Sequence, residues 1–386
     1  VSKGGKIYLE ADDITLAITS QIEAKGATGG GTVLVGGDWQ GSGDMRQATK
    51  VTMEVGATID ASATDKGDGG KVVLWSDVHN ADSQTLVHGS IKAEAGLNGG
   101  SGGKIETSGH YLNVNDIQIS TQAYAGQSGD WLLDPYNITI TNDATVQSGT
   151  GTTYIPTSAG NASFTSAQTS TIQASKIGTA LGFGNVTITT GGTTSDGNGY
   201  GDIRISSAIS WGSSNNLTFV ALGEIHGNGN LTRTGNGGIT FNQTGNSKNA
   251  IVNGLSYEGG YSGIISGTGT VTKTGVGTMV VSGQSTYTGA TTISEGTLKI
   301  GRNGAAGISS AIGLNSALTI ASGAILNVDT YATQVGQLTG SGSIVLGDRI
   351  TGASPALSIG GGTLAGDSSN FFGSISGSQN IGLTKI

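Results

Sequence analysis

Gly4-Gly5-Lys6-Ile7 returns as Gly30-Gly31-Thr32-Val33, as Gly69-Gly70-Lys71-Val72 and as Gly102-Gly103-Lys104-Ile105, each opening a short alternating run. The spacings are 26, 39 and 33, so the same local structure recurs while the chain between copies varies in length. Recurrence of this kind is the signature of a solenoid, whose units stack on their neighbours and bury a continuous column. Between the copies, Val51, Met53, Val55, Ala57, Ile59 and Ala61 alternate with Thr52, Glu54, Gly56, Thr58 and Asp60, the period of a half-buried strand.

The alternation continues at Ile14/Leu16/Ile18, Ile91/Ala93/Ala95, Ile138/Ile140, Val186/Ile188, Ile203/Ile205, Leu217/Phe219, Ile239/Phe241, Leu318/Ile320 and Leu357/Ile359. No comparable run has apolar spacing of three and four, and essentially no α-helix is predicted. Composition agrees: 70 glycines in 386 residues, 5% aromatics and 3 prolines leave too few large side chains for a thick globular core. A β-sandwich would need antiparallel hairpins with tight two-residue turns, whereas these strands are separated by variable Gly/Ser/Asn/Asp segments. The prediction is an all-β, right-handed parallel β-helix in which coils of roughly 20 to 25 residues give about 15 to 19 turns. Glycines are expected at corners where φ is positive or successive coils approach closely.

Four segments are predicted. Residues 1–130 form β-helix with the Gly-Gly-opened repeats. Residues 131–170 form a transition strand at Trp131-Leu132-Leu133-Asp134-Pro135 and a Ser/Thr/Gly-rich surface excursion. Residues 171–255 continue the β-helix, and 256–386 are β-helix with repeats of another type. Two further echoes lie downstream: Gly227 to Gly235 with Arg233 against Gly267 to Gly275 with Lys273, offset by 40, and Tyr261 to Gly267 against Phe371 to Gly377, offset by 110.

Charge and cysteine bound the function. The net charge is -8. Residues 1–150 carry 9 basic and 18 acidic side chains against 9 and 8 in the remainder, which disfavours nucleic acid as a partner. There is no cysteine, hence no disulfide, thiolate ligand or Cys nucleophile. No apolar run approaches a membrane span, and a chain that starts at Val1 and stops inside a repeat phrase reads as a segment of a longer exported protein. Strand edges left at its two ends would favour self-association, end to end or laterally.

Several phrases together resemble the filamentous-haemagglutinin-like large exoproteins of two-partner secretion. They are the Gly-Gly-Lys-Ile units, Gly129-Asp130-Trp131-Leu132-Leu133-Asp134-Pro135-Tyr136-Asn137-Ile138-Thr139-Ile140, Gly184-Asn185-Val186-Thr187-Ile188-Thr189, Gly201-Asp202-Ile203-Arg204-Ile205 through Trp211, and Leu217-Thr218-Phe219. This resemblance covers about residues 1–245. Residues 264–301, with Ile264 to Gly275, Ser282 to Thr291 and Glu295 to Gly301, are similar to the passenger-associated repeat of autotransporters. The resemblance implies a right-handed β-helix, export across a Gram-negative outer membrane through a secretion barrel, and work as an adhesin or filament shaft. The partner would be a glycan or protein on a host or neighbouring cell. A passive spacer carrying a distal adhesive or toxic domain is the alternative, and a carbohydrate-active β-helix enzyme a more distant one.

Chemistry-bearing residues are sparse. Asp12-Asp13, the adjacent carboxylates, run straight into Ile14-Thr15-Leu16 and read as a turn rather than an acid/base couple. His79, His88, His110 and His226 show no close ligand spacing, and calcium repeats are missing, so no catalytic, cofactor or metal residues are assigned. Gly99-Gly100-Ser101-Gly102-Gly103 lacks the helix and Lys-Ser/Thr of a phosphate loop and reads as a coil corner. Thr139/Thr141, Thr187/Thr189 and Thr270/Thr272 are too irregularly spaced to stack as an ice-binding face. Asn-x-Ser/Thr occurs at Asn137, Asn161, Asn185, Asn216, Asn230 and Asn242, a number composition alone would produce. Binding is expected on outward strand faces and on the segments Trp39 to Met45, His79 to Gln84 and Gly192 to Gly201, with Trp39, Trp75 or Tyr200 able to stack on sugar rings.

Overall fold

The computed structural model describes residues 2–142, 170–190, 201–247, 249–252, 255–301, 308–309, 311–329, 332–347, 356–360, 369–377 and 382–386. The chain forms a parallel β-solenoid and divides into two compact units. One comprises 1–157, 162–201 and 215–217; the other 158–161, 202–214 and 218–386.

In the first unit three strand faces recur coil after coil. The first face stacks Lys6–Leu9, Thr32–Val35, Lys71–Trp75, Lys104–Gly109, Asp130–Pro135 and Asn185–Thr189, all parallel. Its register places Ile7, Val33, Val72, Ile105, Trp131 and Val186 in one inward column. Leu9, Val35, Leu74, Thr107, Leu133 and Ile188 form a second. The period of two sends these residues in and the intervening ones out, which is why a thin apolar ladder suffices. The third face repeats the device with Ile22, Ile59, Ile91 and Ile119 in register on Gln21–Glu23, Thr58–Asp60, Ser90–Lys92 and Gln118–Ser120.

The second face departs from chain order. Asp13–Leu16, Lys50–Met53, Gln84–Val87 and Tyr111–Asn113 follow in sequence, but Ser170–Ile172 then enters between Tyr111–Asn113 and Ile138–Ile140. The excursion expected up to residue 170 thus returns a strand into the wall; residues 143–169 lie outside the described residues. Next comes the short helix Ala174–Leu181, which leaves the described residues essentially all-β, as expected. Ala174, Ile177, Ala180 and Leu181 are spaced by three, three and one and are all buried, a helical pattern too short to stand out in the sequence.

In the second unit Ile239–Gln243, Val271–Thr274, Thr291–Ile293, Leu318–Ile320, Leu338–Gly340 and Asn370–Phe371 form one wall. Thr278–Val281, Thr297–Ile300, Ile325–Asp329, Ser343–Leu346 and Ser374–Gly377 form another, again parallel. Asn249–Val252 and Leu255–Glu258 make an antiparallel pair. The core includes Phe219, Phe241 and Tyr261, whose rings follow one another at 5.7 and 5.8 Å. The Tyr261 hydroxyl donates to the Gly229 carbonyl at 2.7 Å.

Coils in the first unit are longer than the sequence pattern suggests. Register offsets of 26, 39, 33, 26 and 55 follow from Lys6, Thr32, Lys71, Lys104, Asp130 and Asn185. The described residues therefore give fewer rungs than the 15 to 19 expected, because loops absorb the difference. The first three offsets are the Gly-Gly spacings themselves.

Candidate binding surface

The Gly-Gly phrase is a corner device. The second glycine of each later copy donates its N–H to the carbonyl that ends the preceding coil. The pairs are Gly31 to Ala24 at 2.7 Å, Gly70 to Ala61 at 2.8 Å and Gly103 to Ala93 at 2.8 Å. The first glycine faces the carbonyl at the end of its own coil. A Cβ on Gly30 would stand 1.8 Å from the Ala61 oxygen, and one on Gly69 2.1 Å from that of Ala93. Close approach of backbones, not positive φ, fixes glycine at these positions.

Because the corner is fixed, the residue after it always points outward at one register. Lys6, Thr32, Lys71 and Lys104 are successive partners in a single column. With Lys3 they line a groove of about 480 Å³ whose floor is glycine backbone and whose rim carries Asp68. In a chain of net charge -8 this is a local concentration of cations.

Beside the column, the segment Asp38 to Gln47 folds over the outer wall. Trp39–Gly41 is a 3-10 turn whose N-cap, Asp38, accepts from the Trp39 N–H at 2.6 Å and from Lys71 Nζ at 2.7 Å. Burial pushes the Asp38 carboxyl up, but Lys71 and the Trp39 N–H outweigh it and hold the group below its ordinary value. Trp39 and Met45 pack on a small outer core of Leu34, Val73, Trp75 and Val78. Trp75 is 4% exposed and donates its indole N–H to Gln47 Oε1 at 3.0 Å, so it braces the segment instead of offering a ring to a ligand. Trp39 is half-buried, and Lys104 Nζ lies 5.7 Å from its ring centroid, a cation–π contact at the edge of the groove.

The segment is pinned by a buried acid. Gln40 adopts φ 51°, the left-handed region, and its backbone N–H donates to Glu106 Oε2 at 2.9 Å. Ser108 Oγ donates to Glu106 Oε1 at 2.9 Å. Glu106 is fully buried, and burial, with Asp134 and Asp38 nearby, pushes its carboxyl up to about 7. Asp134, opposite Ser108 on the next rung, is pushed up by burial to about 6, with His79 opposing the shift.

The remaining sequence candidates fall in separate places. Asp12 pairs with Arg46, and its carbonyl accepts from the Thr49 and Lys50 N–H groups at 2.9 Å where coils meet. His79 projects from a turn in which its own N–H donates to Asp77 Oδ1 at 3.0 Å. His88 lies 3.6 Å from Asp116, burial drawing its pKa down, and His110 stacks on Tyr136 at 4.4 Å. His226 meets Asp202 and Glu224. Thr139 and Thr141 are buried and cannot belong to an ice-binding face. Asn185 and Asn230 bond across rungs, Asn185 Oδ1 accepting from Asn216 N–H and Asn230 Oδ1 from Ile264 N–H, each at 2.9 Å. Asn161, Tyr200 and the segment Gly192 to Tyr200 lie outside the described residues.

The basic members of the downstream echo turn inward. Arg233 is 2% exposed and donates Nη1 to the carbonyls of Gly237 at 3.0 Å and Thr270 at 2.8 Å. Lys273 is 1% exposed and donates Nζ to the carbonyls of Thr274 at 2.9 Å, Gly275 at 2.7 Å and Glu295 at 3.2 Å. Burial draws the Lys273 ammonium down to about 8. Both are corner clamps that satisfy carbonyls a strand ladder leaves over. The offset of 40 is not a coil length: Arg233 sits on Leu231–Arg233 and Lys273 on the different wall of Val271–Thr274.

Within this parallel solenoid, residues 271–300 match the passenger-associated-transport-repeat. The match covers strands Val271–Thr274, Thr278–Val281, Thr291–Ile293 and Thr297–Ile300. They pair as two successive coils, Val271 opposite Thr291 and Thr278 opposite Thr297. The chain is also similar to the adhesin BmaC autotransporter of Brucella suis biovar 1 (strain 1330), 33% identical over 157 residues. That alignment takes in 40% of this chain and 4% of the relative, so the chain spans a small fraction of that protein's length. One similarity is thus to a repeat of transported passengers and the other to a stretch of an autotransporter adhesin.

Proposed function

We propose that this chain is an adhesive stretch of a secreted, filamentous-haemagglutinin-like exoprotein, exported through an outer-membrane barrel and working without enzymatic chemistry. Its partner is an acidic glycan on a host or neighbouring cell. The observation that carries the partner is the outward column Lys6, Thr32, Lys71 and Lys104 beside Trp39. Lys71 and Lys104 on adjacent rungs, about 4.8 Å apart along the wall, with Lys6 two rungs from Lys71, suit a linear polyanion, and an aromatic edge suits the apolar face of a sugar ring. The adhesin relative and the passenger repeat support the surface role.

The test is binding of the 386-residue chain to immobilised sulfated and uronic-acid polysaccharides, with a neutral glucan as control. Binding that falls with salt and drops about tenfold or more in Lys71→Ala/Lys104→Ala is expected. Absence of binding to any acidic glycan, or no effect of the double substitution, refutes this partner and leaves the stretch a spacer for a distal domain.

A further inference from the structure

We propose that Asp202, Glu224 and His226 form a zinc-type divalent metal site that staples two successive coils of the second unit. The argument starts from register. Strands Ile203–Ile205 and Ile225–Gly227 run parallel, with Ile203 opposite Ile225 and Arg204 opposite His226. Ile203, Ile205 and Ile225 are fully buried, so side chains of the other parity face outward. Asp202 and Glu224, each one residue ahead of the paired isoleucines, fall side by side, and His226 is the next outward residue after Glu224 on the same strand. One oxygen from each carboxyl and one ring nitrogen of His226 lie within 4.8 Å of one another.

The three are held from several directions. The Glu224 N–H donates to Asp202 Oδ1 at 2.8 Å, which ties one coil to the next and orients that carboxylate. Glu224 itself is only 4% exposed. Directly after His226, Gly227 turns the chain at φ 115°, where a Cβ would stand 2.2 Å from the Ile205 carbonyl oxygen. The histidine is therefore fixed at the end of its strand.

The donor set selects the ion. Two carboxylate oxygens and one imidazole nitrogen supply three of the four tetrahedral positions that zinc takes at about 2.0 to 2.2 Å. Tetrahedral donors at those bond lengths stand about 3.3 Å apart, so modest side-chain rotation closes the cluster around an ion. Calcium and magnesium take six or more oxygen donors and gain nothing from an imidazole. A dication also offsets the cost of two carboxylates held side by side, one of them buried. Arg204, the cation in register beside His226, is exposed, and its length lets the guanidinium stay in solvent. The fourth position would hold water or an acidic group from a partner.

Titration of the chelator-treated 386-residue chain with zinc chloride by calorimetry tests this. The expected result is one equivalent bound at micromolar affinity or tighter, a raised thermal midpoint, and failure of magnesium to compete. His226→Ala is expected to weaken binding by about 100-fold, and His79→Ala to leave it unchanged. Because Glu224 is buried and its replacement disturbs packing, the partly exposed His226 carries the mutational test, with unchanged circular dichroism as its control. Cobalt substitution adds a second reading, the loss in His226→Ala of the visible absorption expected of a nitrogen-ligated tetrahedral ion. No zinc binding, binding unaffected by His226→Ala, or equal binding of magnesium would overturn the proposal.

Discussion

At the residue scale, the side chains that matter most are polar groups buried where a ladder of Val and Ile would be expected. Glu106 is fully buried, and its carboxyl stands at about 7, well above its ordinary value. A raised acid is protonated in the folded protein at pH values where the unfolded chain has already released its proton. It therefore contributes stability at low pH that is lost as pH rises from about 4.3 to about 7. Between pH 5 and pH 8 the first unit should lose about 2 to 3 kcal/mol from this group. In Glu106→Gln, which keeps one oxygen for the Gln40 N–H, that part of the pH dependence should vanish in urea unfolding curves. An equal slope in both proteins would show that the proton is held elsewhere. Lys273 gives the complementary case. Lys273→Met keeps the stem but deprives the carbonyls of Thr274, Gly275 and Glu295 of their donor, and should cost about 2 to 4 kcal/mol in a denaturant midpoint. Neither role was legible in the sequence. Glu106 occupies an outward parity that normally means solvent, and only the long reach from Gln40 buries it. Lys273 holds an inward parity at a strand end, where its carbonyl partners come from the next corner.

At the element scale, what recurs is a corner, and the strands follow from it. The Gly-Gly spacings of 26, 39 and 33 became the register offsets of the first wall because each pair touches a carbonyl of its own or the preceding coil. Gly69→Ala should therefore be costly, about 2 to 4 kcal/mol, since its Cβ meets backbone at Ala93 and Gly103, which cannot rotate away. Gly5→Ala is the control: nothing lies within 4 Å, and the change should be neutral or slightly stabilising. Thermal midpoints of the two variants measure the contrast. The alternating strands were readable for the same reason, since each apolar residue at one parity meets its like one coil away. The helix Ala174–Leu181 and the inserted strand Ser170–Ile172 were not. So short a helix makes barely two turns, and the order of strands across an excursion is set by packing against coils far away in sequence. The cluster of Asp202, Glu224 and His226 was hidden likewise. Asp202 stands far from Glu224 in the sequence, and their separation becomes a ligand spacing only once it is known to be one coil.

At the scale of the whole chain, coil length is free and register is not. Offsets as short as 18, between Ile325 and Ser343, and as long as 55, between Asp130 and Asn185, still leave inward residues meeting inward residues. Loop closure entropy grows only slowly with length, so extra residues outside the ladder cost little. A shift of one residue inside a strand turns every following side chain to the opposite face. The two kinds of insertion should separate cleanly. A Gly-Ser pair placed after the exposed Gly43 should cost less than about 1 kcal/mol. A single alanine placed between Val72 and Val73 would send Val73 and Trp75 into the inward columns and Leu74 out into the covering segment. It would also cut the outer core of Leu34, Val73, Trp75 and Val78 from Trp39 and Met45. That change removes several buried apolar contacts at once and should cost more than about 5 kcal/mol, enough to unfold the coils around it. Far-ultraviolet circular dichroism with urea titration would read both variants. If they lost stability equally, the coils would be held by their loops; if only the strand insertion did, they are held by the register of the ladder that the Gly-Gly corners set.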